Sequence, residues 1–152
     1  MSNGELDEWD IARRGLRSVS SPEIKAFWNG YIALRRPVLI EHGSLYSRWR
    51  RVSDDLVISL YLTNRSVGLF VRGQRGEGYR TTLSRLSAHE PRLGEALGAS
   101  LRDYEGCCYL TNLPLGVTDP KSWPRAYAWL EEREELYHHV LAELRGKAEK
   151  ND

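Results

Sequence analysis

The stretch LVISLYLTNRSVGLFVR, Leu56 to Arg72, constrains the fold more than any other part of the chain. Its apolar residues alternate on both sides of Asn64-Arg65, as in two strands joined by a tight turn. With Asn64-Arg65 as a two-residue turn, and Asn64 supplying left-handed backbone, Leu62 faces Val67, Leu60 faces Leu69 and Ile58 faces Val71. These six residues share one face. On the other, Tyr61 meets Gly68, Ser59 meets Phe70 and Val57 meets Arg72. A slip of one residue would exchange the two sets, so the register is well specified. The first face is expected to be core. The second is mixed and expected to be half-solvated, which makes Ser59, Tyr61, Phe70 and Arg72 a candidate interaction face.

The flanks of this hairpin supply the other elements. Upstream, SSPEIKAFWNGYIALRRP carries helix-start signals: Ser20 or Ser21 as cap, Pro22 in the first turn, Glu23 at the positive end of the dipole. Ile24, Phe27, Trp28, Tyr31 and Leu34 form its apolar stripe, Pro37 ends it, and Gly30 either weakens it or admits a close neighbour. After the short apolar piece VLIEHG, LYSRWRRV reads as a strand closed by Ser53-Asp54-Asp55. Downstream of the hairpin, the glycine-rich GQRGEGYRTT is a mobile or tightly turning connection. Leu86, Leu93 and Leu97 then keep helical spacing, with a kink or restart at Pro91 and Gly98 as the C-terminal cap. CCYLTNL is a short strand. Ser122 or Asp119 caps a last helix whose face carries Trp123, Tyr127, Leu130, Tyr137, Leu141 and Leu144, while Glu131, Glu132, Glu134 and Glu135 are expected to face water.

The order helix, three strands, helix, strand, helix predicts an α+β domain: an antiparallel meander plus a further strand, with helices on one face as a two-layer sandwich. Residues 1–20 fit neither period and are read as an N-terminal arm, with Leu6, Trp9, Ile11, Leu16 and Val19 available to dock. Residues 21–146 form the domain and 147–152 a polar tail. No repeat or linker points to a second domain.

Bulk properties exclude several classes. Hydrophobic content of 41% and charged content of 28% fit a globular chain. No apolar run approaches the roughly 20 residues of a membrane span, and the acidic start MSNGELDEWD is no signal peptide. A cytoplasmic location is expected. Cys107 and Cys108 are adjacent, so on a strand they point to opposite faces and are expected to be reduced and buried. The net charge of +1 hides a division: residues 35–85 hold ten arginines against Glu41, Asp54, Asp55 and Glu77, whereas residues 86–152 are acidic. A basic middle and an acidic end suit an anionic partner, or attraction between the two parts within the fold or across a dimer. Arginines outnumber lysines eighteen to four, so Arg is also simply the ordinary surface cation here.

The helix carrying FWNGY, the meander with LYLTNRSVGLFV, the helix ending at Ala96-Leu97-Gly98 and above all the closing WPRAYAWLEE helix, Trp123 to Glu132, resemble domain of unknown function family 4268 over residues 22–145. In that bacterial family the domain often follows a restriction-endonuclease-like region. The resemblance implies an accessory role near nucleic acid and carries no catalytic residue with it. The chain departs from the fused form, with no room upstream for a nuclease region.

Candidate chemistry is sparse. A metal-dependent nuclease site needs an acid on one strand and an acid-x-lysine on the next. The one such match near the front, Glu23-Ile24-Lys25, lies in a helical first turn. His42 and His89 stand alone, and His138 and His139 diverge on a helix instead of taking the i, i+4 spacing of a metal pair. RGQRGEG has glycines but lacks the Walker lysine and is not expected to lead directly into a helix, so it is a weak phosphate cradle. No catalytic, cofactor or metal residue is assigned.

Two readings remain. In one the chain is a non-catalytic protein-interaction or self-associating domain. In the other it is an accessory nucleic-acid binder: Arg48, Arg50, Arg51, Arg72, Arg75 and Arg80 contact phosphates while Trp49, Tyr61 and Phe70 stack on unpaired bases.

Overall fold

A computed structural model describes residues 19–102, 104 and 106–151, with side chains through residue 144. The proposed arm therefore lies outside the described residues, apart from Val19 and Ser20.

The chain is an α+β fold in which helices pack against a five-stranded antiparallel sheet of order β1-β2-β3-β4-β5. Helix α1 (Ser21–Arg35) leads into β1 (Glu41–Ser44), β2 (Ser47–Ser53), β3 (Leu56–Leu62) and β4 (Val67–Arg72). Helices α2 (Tyr79–Ser87) and α3 (Arg92–Leu97) connect to β5 (Cys108–Leu113). A 3-10 turn at Pro120–Ser122 precedes α4 (Trp123–Asn151), which continues through most of the segment read as a tail. VLIEHG thus supplies an extra edge strand, and Pro91 restarts the helix instead of kinking it.

The β3–β4 register is the one the alternation specifies: Leu62 opposite Val67, Leu60 opposite Leu69, Ile58 opposite Val71. The turn works differently from expectation. Neither Asn64 nor Arg65 has positive φ. Instead Thr63 Oγ1 accepts from the amides of Arg65 and Ser66, at 3.1 and 3.0 Å, and does locally what a left-handed Asn would have done.

Helix α1 starts at a capping box in which Ser20 and Glu23 satisfy each other's backbone amides. Its buried side chains are Ile24, Phe27, Trp28, Tyr31 and Arg35, so the stripe ends on Arg35, and Leu34 points outward. Gly30 is the close approach: a Cβ there would overlap the Tyr127 hydroxyl, which donates to Phe27 O at 2.7 Å. Phe27 sits among Trp28, Trp123 and Tyr127 at ring separations of 4.8 to 5.5 Å, and this aromatic cluster binds α1 to α4. Gly98 takes the left-handed C-cap of α3, and Arg133 of α4 donates to Leu97 O at 2.6 Å, placing a cation at the negative end of that helix. The main core lies between the helices and the Ile58-Leu60-Leu62-Val67-Leu69-Val71 face.

Candidate functional site

The pleat divides the arginine-rich strand RWRR, because alternate residues leave β2 on opposite faces. Arg48 and Arg50 lie on the helix side, and Trp49 and Arg51 on the other, so the residues grouped as nucleic-acid contacts do not form one surface.

Arg48 is buried. Its guanidinium donates to Ser44 O and Ser47 O, both at 2.7 Å, and lies 5.8 Å from the Trp28 ring centroid; burial pushes its pKa down. Arg50 reaches α4, donating to Glu134 at 2.6 Å and Glu135 at 2.9 Å.

Those contacts belong to the most concentrated charge cluster of the described residues. Glu134 is fully buried, contrary to its expected place in water. Its carboxylate accepts from Tyr31 Oη at 2.5 Å, from Arg35 Nε at 3.2 Å and Nη2 at 3.0 Å, and from Arg50. Arg35 also pairs with Glu131 and Glu135. Burial lowers the Arg35 pKa and these carboxylates more than reverse it, so the net shift is upward. Burial, and then Glu134, push the Tyr31 hydroxyl up. Burial raises Glu135, but Arg50 and Arg35 outweigh it and hold that carboxyl below its usual range. His138, one turn along, is pushed down by burial and by Arg50. The spacing of Leu130, Glu134, Tyr137 and Leu141 was the missed signal: residues four, three and four apart put Glu134 on the buried stripe.

With four donors around it, the Glu134 carboxylate has no free lone pair facing a substrate. The cluster joins α1, β2 and α4 across the core.

The connection after β4 is a tight turn held by side-chain contacts. Arg85 grips Glu77 in a bidentate pair at 2.5 and 3.0 Å and also meets Asp55, while Thr82 donates to Glu77 at 2.5 Å. The Arg85 hydrogen bonds hold the Glu77 carboxyl below its usual range. That acid occupies the interior of the turn beside Gly73, so the RGQRGEG segment presents a carboxylate where a phosphate would sit.

The second sheet face corrects the expectation of a half-solvated surface. Ser59 and Val57 are fully enclosed, and Tyr61 and Phe70 are each 1% exposed. Tyr61 lies over Gly68, where a Cβ would come within 2.5 Å of its ring, and Phe70 stands 6.2 Å from it. Cys107 joins this cluster with Tyr104 and Leu110, while Cys108 points into the main core; neither is in a disulfide. Burial pushes the Cys108 thiol up to about 12, which makes it inert at neutral pH. Trp49 is also buried and cannot stack on a base. Arg72 and Arg75 lie over its indole at 4.5 and 4.4 Å. Arg75 also donates to the carbonyls of His42 and Gly43, and Arg51 pairs with Glu41 at 3.1 Å. Arg80 is exposed at the start of α2.

What remains open is a different patch. Leu39 is 75% exposed and Leu34 52%, flanking the connection from α1 to the edge strand β1, with exposed Arg36 and Pro37 between them. Leu34 was expected on the buried stripe of α1 and is instead exposed, and Leu39 was not singled out from sequence.

Among the described residues no helix is long and apolar enough to cross a membrane, and no group of three or more His, Cys, Asp or Glu residues is placed to hold a metal ion. No protein-family model, no curated protein and no solved structure matches the chain.

Proposed function

We propose that this domain is a non-catalytic interaction module that associates through the Leu34–Leu39 patch, with a second copy of the chain as its partner. The observation that carries the reading is that Leu34 and Leu39 are the large aliphatic side chains left exposed among the described residues, flanking the connection from α1 to the edge strand β1. The saturated state of Glu134 and Glu77 supports a non-catalytic role, since each is already engaged by arginine. Both cysteines are buried and neither is in a disulfide, which suits a reducing compartment such as the cytoplasm.

Light scattering over a concentration series tests this. The wild-type mass is expected to rise with concentration, and the Leu34→Asp/Leu39→Asp double variant to remain monomeric at unchanged melting temperature. A wild-type chain that is monomeric throughout overturns the reading.

The nucleic-acid reading keeps a narrower basis, the exposed Arg75 and Arg80. Fluorescence anisotropy with a single-stranded oligonucleotide separates the two: micromolar binding with a steep loss on added salt favours it, and no binding at low salt removes it.

A further inference from the structure

Helix α3 meets α4 without closing on it. His89, Arg92, Leu93 and Ala96 are spaced three, one and three residues apart, so they share one side of α3 and of the turn that leads into it. Val140, Glu143 and Leu144 stand opposite on α4, again at the spacing of one helical face. Arg133 ties the two helices together at Leu97 O. Ala96, one residue earlier, is too small to fill the space beside that contact. A groove of about 180 Å³ remains. An apolar cavity of roughly 150 Å³ accepts benzene, and sites for drug-sized ligands hold about 300–1,000 Å³. The groove is therefore sized for one small molecule.

Its chemistry is divided between the walls. Leu93, Val140 and Leu144 make an apolar floor continuous with the main core. Arg92 and His89 lie on the α3 wall, and Glu143 on the α4 wall. Arg92 is exposed, and neither it nor His89 has a side-chain hydrogen bond or ion pair among the described residues. A cation at the start of α3 opposes the helix dipole, so stability of that helix does not explain Arg92. Glu143 meets the His139 imidazole at 4.0 Å, an ion pair only when that ring is protonated. Arg92 and Glu143 do not pair, and the apolar floor lies between them.

We propose that this groove binds a free α-amino acid with a branched-aliphatic or aromatic side chain. Arg92, with His89 beside it, holds the carboxylate, Glu143 holds the ammonium, and the side chain lies on Leu93, Val140 and Leu144. A simple anion would meet Glu143 unfavourably, and a simple amine would meet Arg92; a zwitterion suits both walls. The site does not depend on the Leu34–Leu39 patch, which is built from α1 and the approach to β1.

Isothermal titration calorimetry of the full chain with L-leucine tests the proposal, and saturable heat is expected. Isocaproate, which is leucine without its ammonium, and isoamylamine, which is leucine without its carboxylate, are each expected to bind at least ~10-fold more weakly. Arg92→Ala is expected to weaken leucine ~10-fold while leaving isoamylamine no weaker, and Glu143→Gln to weaken leucine similarly while leaving isocaproate no weaker. Ala96→Trp fills the groove from an exposed position. It is expected to abolish leucine binding at unchanged melting temperature. No saturable heat from leucine at millimolar concentration, equal affinity for an analogue lacking either charge, or full binding by Ala96→Trp overturns the proposal.

Discussion

Both faces of the sheet bury aromatic rings and bring arginines into the fold, by different means. On the helix side, arginines from α1 and β2 are neutralised by carboxylates of α4, deep in the core, and Glu134 is fully enclosed. On the second face the cations stack on an indole, and the aromatic rings lie over a glycine. The first arrangement depends on charge balance between three elements and the second on shape. The contrast teaches that arginine count alone says little about a binding surface, because the pleat sends neighbouring arginines into two unrelated settings.

The sharpest way to break the comparison is Glu134→Ala. It leaves Arg35 and Arg50 with a buried deficit of negative charge, and removing one member of a buried pair typically costs about 3–5 kcal/mol. Urea unfolding is expected to show a loss of that order, and Glu135→Ala, at a residue half exposed, a far smaller one. Equal losses for the two would mean that burial of Glu134 carries no special weight. On the second face, Gly68→Ala tests shape. The added methyl comes within 2.5 Å of the Tyr61 ring and 2.7 Å of Thr111 O, and the backbone oxygen cannot move aside easily. Overpacking of this kind costs roughly 1–3 kcal/mol. The combination Gly68→Ala/Tyr61→Leu is expected to recover part of it by relieving the ring contact.

Much of this was legible before any coordinates. The alternation from Leu56 to Arg72 set the central register, since a slip would have exposed six aliphatic side chains. The serine cap of α1, open between Ser20 and Ser21 in sequence, the Gly98 cap and the opposed cysteines are equally local, and the structure settles the first on Ser20 with Glu23 completing a capping box. The misreadings share a cause. Glu134 was placed in water and Arg48 on a nucleic-acid surface because charged residues are usually exposed, and only hydrogen-bond partners within the fold make their burial tolerable. Sequence periodicity reports a face, not what covers it. The same limit applies to Ser59, Tyr61 and Phe70, whose face has the composition of a half-open surface but is closed. Leu34 matched the α1 stripe by spacing, and lost its place to Arg35 because Glu134 stands opposite.

Acid tests the charged contacts through titration. Glu77 and Glu135 have carboxyl pKa values below their unfolded range. In the window between folded and unfolded values the unfolded chain binds more protons, so stability is full above about pH 4.3 and falls as pH drops through the folded values. His138, depressed by burial and Arg50, has the same sign: its contribution is full above about pH 6.5 and declines below it. Melting temperature followed from pH 8 to pH 3 is expected to decline gently below 6.5 and more steeply below 4.3. Glu77→Gln is expected to flatten the steeper part. A melting temperature that rises on acidification would reverse the sign argued for both.

The smallest effect is expected at Arg51, and it is useful for that reason. Arg51 shares the second side of β2 with Trp49, but its guanidinium is 36% exposed and it pairs with Glu41, 33% exposed, at the sheet edge. An exposed pair gains little Coulomb energy in water, is screened by salt and loses side-chain entropy when it forms, so it contributes about 0–1 kcal/mol. Arg51→Ala is therefore expected to leave the urea midpoint almost unchanged, and Arg51→Ala/Glu41→Ala to equal the sum of the single changes within about 0.5 kcal/mol. A large loss would mean that the stem of Arg51 helps to seal Val57, its cross-strand neighbour, against water. Arg51→Met distinguishes these causes, because it keeps an apolar stem while removing the charge. If Met restores what Ala loses, packing and not pairing holds this corner of the second face.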